Sequence, residues 1–267
     1  MSIRNLSGEP LHVLLVRHGQ SESNVVIDKS RRENDADHEC IDSNIREIEE
    51  RHKGDVPLTP KGKGQASETG VYLHNLIVAN REKWGKNVLL MESPMQRAGD
   101  TAGLIGERLH GQSFLLPEES RLVRVGLAYA LSDNPLECQF AADGMQIAME
   151  RNLLEYDGQK ETITGLRIRV NRILTHLECL QPGQCNVAIV VGHSLFFSQM
   201  IATVSGKYGS PADTVEDLAF HLPNCSVSHL VYSREAGRWS VLQVADTHHL
   251  SEPTGMHYIP VAPCERA

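Results

Sequence analysis

The sequence predicts an α/β fold built as a three-layer sandwich: a mostly parallel central sheet flanked by helices, with insertions forming a cap over the site. Two observations carry this expectation. Short apolar runs at 11–16 (LHVLLV), 88–91 (VLLM) and 187–191 (VAIVV) have the length and composition of strands buried on both faces. Helical segments alternate with these runs, an order that makes strands parallel. Ligands in such sheets bind beyond the carboxyl ends of the strands. The loops there carry Arg17-His18, Arg97 and His193.

In chain order, the first strand ends at Arg17-His18-Gly19. Residues 28–55 are dense in charge (Asp28, Lys29, Arg31, Arg32, Glu33, Asp35, Asp37, Glu39), and Ile41, Ile45 and Ile48 recur at helical spacing. The stretch at about 25–57 is therefore expected as a charged insertion with one exposed helix, inside a single domain over residues 1–267. Thr59-Pro60 opens the next helix, since threonine caps well and proline suits the first turn. Val71, Leu73, Leu76 and Ile77 give it a partly apolar face. After the second strand, Ser93-Pro94 leads into a helix near 97–109. A cap-like segment is expected at about 127–163, walling the pocket together with the first insertion. Leu166, Val170, Ile173, Leu174 and Leu177 mark a third amphipathic helix, stopped by Pro182-Gly183. The third strand runs through Gly192-His193-Ser194 into another helix. The runs 226–232 and 239–244 flank Glu235-Ala236-Gly237 as a hairpin at the sheet edge.

Composition narrows the function. Lys+Arg 26 against Asp+Glu 34 leave a net charge of −8, which argues against a general nucleic-acid or anionic-membrane surface. The 40% hydrophobic and 22% charged residues are globular values and exclude whole-chain disorder. No apolar run approaches the roughly 20 residues of a spanning helix. The first ten residues lack an apolar core of leader length, so a cytoplasmic protein is expected. Its six scattered cysteines form no C-x-x-C and are expected as reduced thiols packed as small hydrophobes. Thirteen histidines include no H-x-x-x-H or H-E-x-x-H, so no metal and no cofactor is expected.

The loop cations suggest the chemistry. A histidine at a strand end can be a nucleophile when a carbonyl orients its other nitrogen, which makes His18 a candidate. The adjacent Arg17 offers a planar fork that fits phosphate oxygens. Arg97 opens a helix, where a cation opposes the dipole and a bound anion would repair that cost. With His193, two histidines and two arginines form a compact cationic pocket in an acidic protein, suited to a phosphate dianion.

These residues stand in patterns that resemble the histidine phosphatase superfamily, in the branch that contains cofactor-dependent phosphoglycerate mutases. R-H-G-x-S-x-x-N is complete at 17–24, S-P-x-x-R-A-x-x-T-A at 93–102, and a strand followed by G-H-S stands at 187–194. Leu58-Thr59-Pro60-Lys61-Gly62 with Gln65-Ala66 is similar to the family's L-T-x-x-G-x-x-Q-A helix. Residues 223–227 and 246–250 are similar to its closing strands. The resemblance implies a phosphomonoester hydrolase that works without metal through a phosphohistidine on His18. Arg17 and Arg97 would clamp the phosphoryl oxygens, His193 would donate a further hydrogen bond, and Asn24 would support the pocket floor. The implied partner is a small phosphorylated substrate or phosphate.

One segment departs from the pattern. Arg124, in RLVRVG at 121–126, stands where the family carries its acidic glutamate. Glu118, Glu119 and Glu137 are the candidate replacements. Arginine cannot serve as an acid at neutral pH. The alternatives are therefore a phospho-ligand-binding pseudoenzyme, or a mutase of the phosphoglycerate type. A Ser194 hydrolase is a further reading, because Gly192-His193-Ser194-Leu195-Phe196 nearly fits G-x-S-x-G. The bulky Phe196 breaks that elbow.

Overall fold

The computed structural model describes residues 8–33, 56–84, 88–93, 95–110, 163–180, 186–206 and 222–252, with shorter pieces at 123–126, 155–156, 159–160 and within 44–52. Six strands form one sheet: β1 (Leu11–Arg17), β2 (Val88–Glu92), β3 (Val123–Gly126), β6 (Val187–Gly192), β7 (Val227–Ser233) and β8 (Arg238–Asp246). Their spatial order is β3-β2-β6-β1-β7-β8. The first four are parallel, and β7 and β8 add an antiparallel edge. Two short strands, β4 (Glu155–Tyr156) and β5 (Gln159–Lys160), pair with each other inside the expected cap segment. The rest of that segment lies outside the described residues.

Alternation along the strands feeds two cores. Leu14, Val16, Leu90, Ile189 and Val191 point to one face, covered by α2 (Pro60–Ala79), α3 (Arg81–Trp84) and α4 (Gln96–His110). Val13, Leu15, Met91, Ala188 and Val190 point to the other, covered by α5 (Ile163–Glu178) and α6 (Ser194–Val204). This is the three-layer α/β arrangement the sequence predicts. Thr59 caps α2, its hydroxyl accepting from the Gly62 amide at 3.0 Å, with Pro60 in the first turn.

Three details differ from expectation. A helix α1 (Glu22–Glu33) starts inside what reads as loop and charged insertion. The exposed helix expected further on is present: Asn44, Glu47, Ile48, Glu50 and Arg51 are helical, and the His52 amide donates to the Ile48 carbonyl at 3.1 Å. Val71 is exposed, not part of the apolar face, because two residues from the buried Leu73 is about 200° around a helix. Cys225 is buried, but Cys179 is on the surface; both are free thiols. Pro182-Gly183 and Cys40, Cys138, Cys185 and Cys264 lie outside the described residues.

At the far end of the sheet from the loops, His12 of β1 and His229 of β7 share a hydrogen bond of 3.0 Å between Nδ1 and Nε2. Trp84 stacks on His12 at 4.5 Å and meets His229 edge-on at 5.5 Å. Burial lowers both imidazoles to about 4, and His12 adds to the depression of His229. The folded protein thus holds them neutral where the unfolded chain protonates them. Stability is expected to be full above pH about 6.5, to fall as pH drops toward 4, and to level off below. Solvent screening of these partly exposed rings limits the pair's share of that loss to roughly 2–4 kcal/mol. Urea denaturation across pH checks this. The His12→Gln, His229→Gln double variant should have a shallower slope between pH 6.5 and 4.

Candidate active site

The strand order explains why the loops meet. β6 inserts between β1 and β2, so the carboxyl ends of these three strands are adjacent although they lie far apart in sequence. Backbone bonds join their exits: His18 N donates to Gly192 O at 2.9 Å, and Ser93 N to Val191 O at 2.9 Å. Arg17 ends β1, Arg97 lies in the first turn of α4, and His193 precedes α6.

The heads of His18, Arg97 and His193 come together. His18 is 2% exposed and Arg97 is fully buried. Arg97 Nε lies 3.3 Å from His18 Nε2, and the rings of His18 and His193 are 5.1 Å apart. Arg17 lies close enough for its charge to depress the His18 pKa, and its Nη1 donates to the Leu222 carbonyl at 2.5 Å. Arg97 is therefore not the surface ion-pair residue that a lone arginine usually is.

Local chemistry fixes which nitrogen of His18 carries the proton. Nδ1 lies 2.7 Å from the Gly19 carbonyl, which can only accept, so Nδ1 carries the proton and Nε2 the lone pair. Burial, then Arg97, His193 and Arg17, hold the ring well below the usual histidine range, against the smaller opposing pull of the Gly19 carbonyl. At neutral pH His18 is an uncharged base whose Nε2 lone pair faces the Arg97 guanidinium, with the His193 ring beside it.

Supporting contacts come from Asn24, which the sequence singled out, and from four residues to which it gave no role: Ser93, Thr101, Asn224 and Cys225. Ser93 Oγ bonds His193 Nε2 at 2.8 Å. Thr101 Oγ1 accepts from Gly19 N at 3.0 Å and donates to Arg97 O at 2.7 Å, tying the two loops together. Asn24 Oδ1 accepts from Ser21 N at 3.1 Å and from Asn224 Nδ2 at 2.9 Å, and Asn224 also reaches His18 O at 3.0 Å. Asn24 thus braces the loop beneath His18. Cys225 follows in the left-handed region (φ 55), its amide on the carbonyls of Arg17 and His18 at 3.1 and 3.3 Å. A non-glycine residue there costs on the order of 1–2 kcal/mol, held in place by those bonds. Ser93 and Thr101 stand inside the quoted motif, which was the available signal. Asn224 and Cys225 had none beyond their similarity to the closing strands.

Glycine permits the tightest contact. A Cβ on Gly19 would lie 2.4 Å from Gly62 O, and one on Gly62 would lie 2.1 Å from Gln20 O. The loop and the start of α2 are pressed backbone to backbone. Ser21 and Leu58 also form an antiparallel bridge, and Thr59 N donates to Gln20 O at 2.9 Å. β3 pairs Arg124 with Leu90 at the sheet edge. Glu118, Glu119 and Glu137 lie outside the described residues.

A family model for the histidine phosphatase superfamily (branch 1) matches residues 13–247. The chain belongs to the histidine phosphatase superfamily. The resemblance read from its motifs is borne out at that level. Among solved structures of similar fold, phosphoglycerate mutase from Bacillus anthracis str. Sterne matches 92% of this chain and 97% of its own, at 18% identity and TM-score 0.53. Mycobacterial hydrolase 2 matches 91% of this chain and 93% of its own, at 15% identity and TM-score 0.51. At these identities the likeness is one of fold. No curated relative matches the chain by sequence. In this superfamily member, no helix among the described residues is long and apolar enough to cross a membrane.

Proposed function

We propose that the protein hydrolyses a small phosphomonoester through a phosphohistidine on His18. The observation that carries this reading is the His18 ring itself: its Nδ1 proton is committed to Gly19 O at 2.7 Å while its Nε2 faces Arg97. The Nε2 lone pair attacks phosphorus in line, and the bond to the leaving oxygen breaks. Arg17, Arg97 and His193 take the equatorial oxygens, each charge-assisted bond contributing about 1.5–3 kcal/mol. The incoming phosphoryl group replaces the long Arg97 contact on Nε2. Water then attacks phosphorus, the P–N bond breaks, and phosphate leaves. Asn24 keeps the loop in place throughout. No step needs a metal, because the positive charges are side chains.

Arg124 at the position of the family's acid favours a second reading, in which the pocket binds a phosphorylated ligand without turnover. A chromogenic aryl phosphate decides between them, because its leaving oxygen needs little protonation. Under the first reading phosphate is released, and rapid quenching traps a phosphoenzyme stable to alkali and labile to acid. Competitive binding of phosphate with no turnover and no phosphoenzyme overturns it.

A further inference from the structure

The peptide group between Gly19 and Gln20 is gripped from both ends by side chains. Its carbonyl accepts from His18 Nδ1 at 2.7 Å. Its N–H donates to Gln65 Oε1 at 3.0 Å. The N–H can only donate, so the amide oxygen of Gln65 must face it. A peptide group is planar, so whatever fixes the N–H also fixes the direction of the carbonyl. Gln65 is buried on α2, whose first turn is pressed against Gln20 by the Gly62 contact and by Thr59. The backbone that carries the acceptor is therefore held beside the peptide.

The geometry points to Gln65 as a positioning residue for His18, acting through the Gly19–Gln20 peptide to select the imidazole tautomer that leaves Nε2 free. The three groups form one line of donors, Nδ1–H to O=C, then N–H to Oε1, in which each bond polarises the next. Thr101 holds a different peptide, the Gly19 N–H, and so anchors the loop without turning this carbonyl. The inference rests on the reading of His18 as phosphoryl acceptor, but its first readout does not.

The experiment compares Gln65→Met, which keeps the length and removes the acceptor, with Gln65→Glu, which keeps an acceptor and adds charge. Nitrogen-15 spectra report the His18 tautomer, with His18→Asn identifying the signal. The unaltered protein at pH 7.5 should show only the Nδ1–H form. Gln65→Met should gain a second population with the proton on Nε2. Its kcat on an aryl phosphate should fall about tenfold with KM within about twofold, the effect of one lost hydrogen bond expressed after binding. Gln65→Glu should restore the single tautomer. It should also move the acid limb of the pH profile upward, because a nearby carboxylate favours the imidazolium. The charges that act on the ring, Arg17, Arg97 and His193, are the same in every variant and cancel from the comparison. A folded Gln65→Met with an unchanged tautomer overturns the proposal, as does a Gln65→Glu with an unmoved acid limb; that second variant still decides if Gln65→Met fails to fold. A tautomer shift in a protein that never turns over aryl phosphate supports the positioning role and removes the phosphatase reading instead.

Discussion

Changing His18 to glutamine is expected to lower turnover of an aryl phosphate by about 10⁴-fold or more. Glutamine is polar and of similar reach, but its amide has no lone pair nucleophilic enough to attack phosphorus. The acid-labile phosphoenzyme should vanish with the turnover. Arg17, Arg97 and His193 remain, so phosphate should still bind and still raise the melting temperature. That combination separates loss of the nucleophile from collapse of the pocket. Residual turnover above roughly one part in a hundred, with a phosphoenzyme still trapped, would show that another group carries the phosphoryl.

Changing Arg97 to methionine is expected to have the second largest effect. Arg97 is fully buried against His18, and methionine fills much of the same volume without charge. On the proposed reading the Arg97 fork makes two charge-assisted bonds to the phosphoryl group, and its loss should reduce kcat/KM by roughly 10²–10⁴-fold. Phosphate should no longer raise the melting temperature, since that gain scales with the logarithm of ligand over Kd. A sign can also be assigned to the pH profile. After burial, Arg97 is the strongest influence holding the His18 pKa down. Its removal lets the imidazolium form more readily, so the acid limb of kcat/KM should move to higher pH. An acid limb that stays in place would mean that Arg97 does not face His18 in solution. Lysine should restore part of the pH behaviour and less of the binding, because it returns the charge without the fork.

The central strands could be read from composition because burial on both faces demands unbroken apolar runs, as in Val187 to Val191. The four candidate site residues Arg17, His18, Arg97 and His193 could be read because each lies at or beyond the end of such a run. What could not be read has physical reasons. Helix α1 carries Glu22, Asp28, Lys29, Arg31 and Arg32 with little apolar spacing, so its pattern is that of a solvated loop. Strand β3 is four residues long with an arginine inside it, too short for periodicity to register. The bond from Gln20 to Gln65 spans 45 residues and depends on two backbones meeting at glycines, which no local pattern reports. The His12, His229 and Trp84 cluster is equally non-local. Full burial of Arg97 also runs against the ordinary habit of arginine, and only convergence with the other loops accounts for it.

The bridge between Ser21 and Leu58 gives the long excursion between them a closed neck. Doubling the length of a loop whose ends are already joined costs only about 0.6 kcal/mol. Lengthening the stretch between α1 and Leu58 is therefore expected to cost little in stability, and the contacts of His52 and Arg51 with Glu22 tie that stretch back to the start of α1.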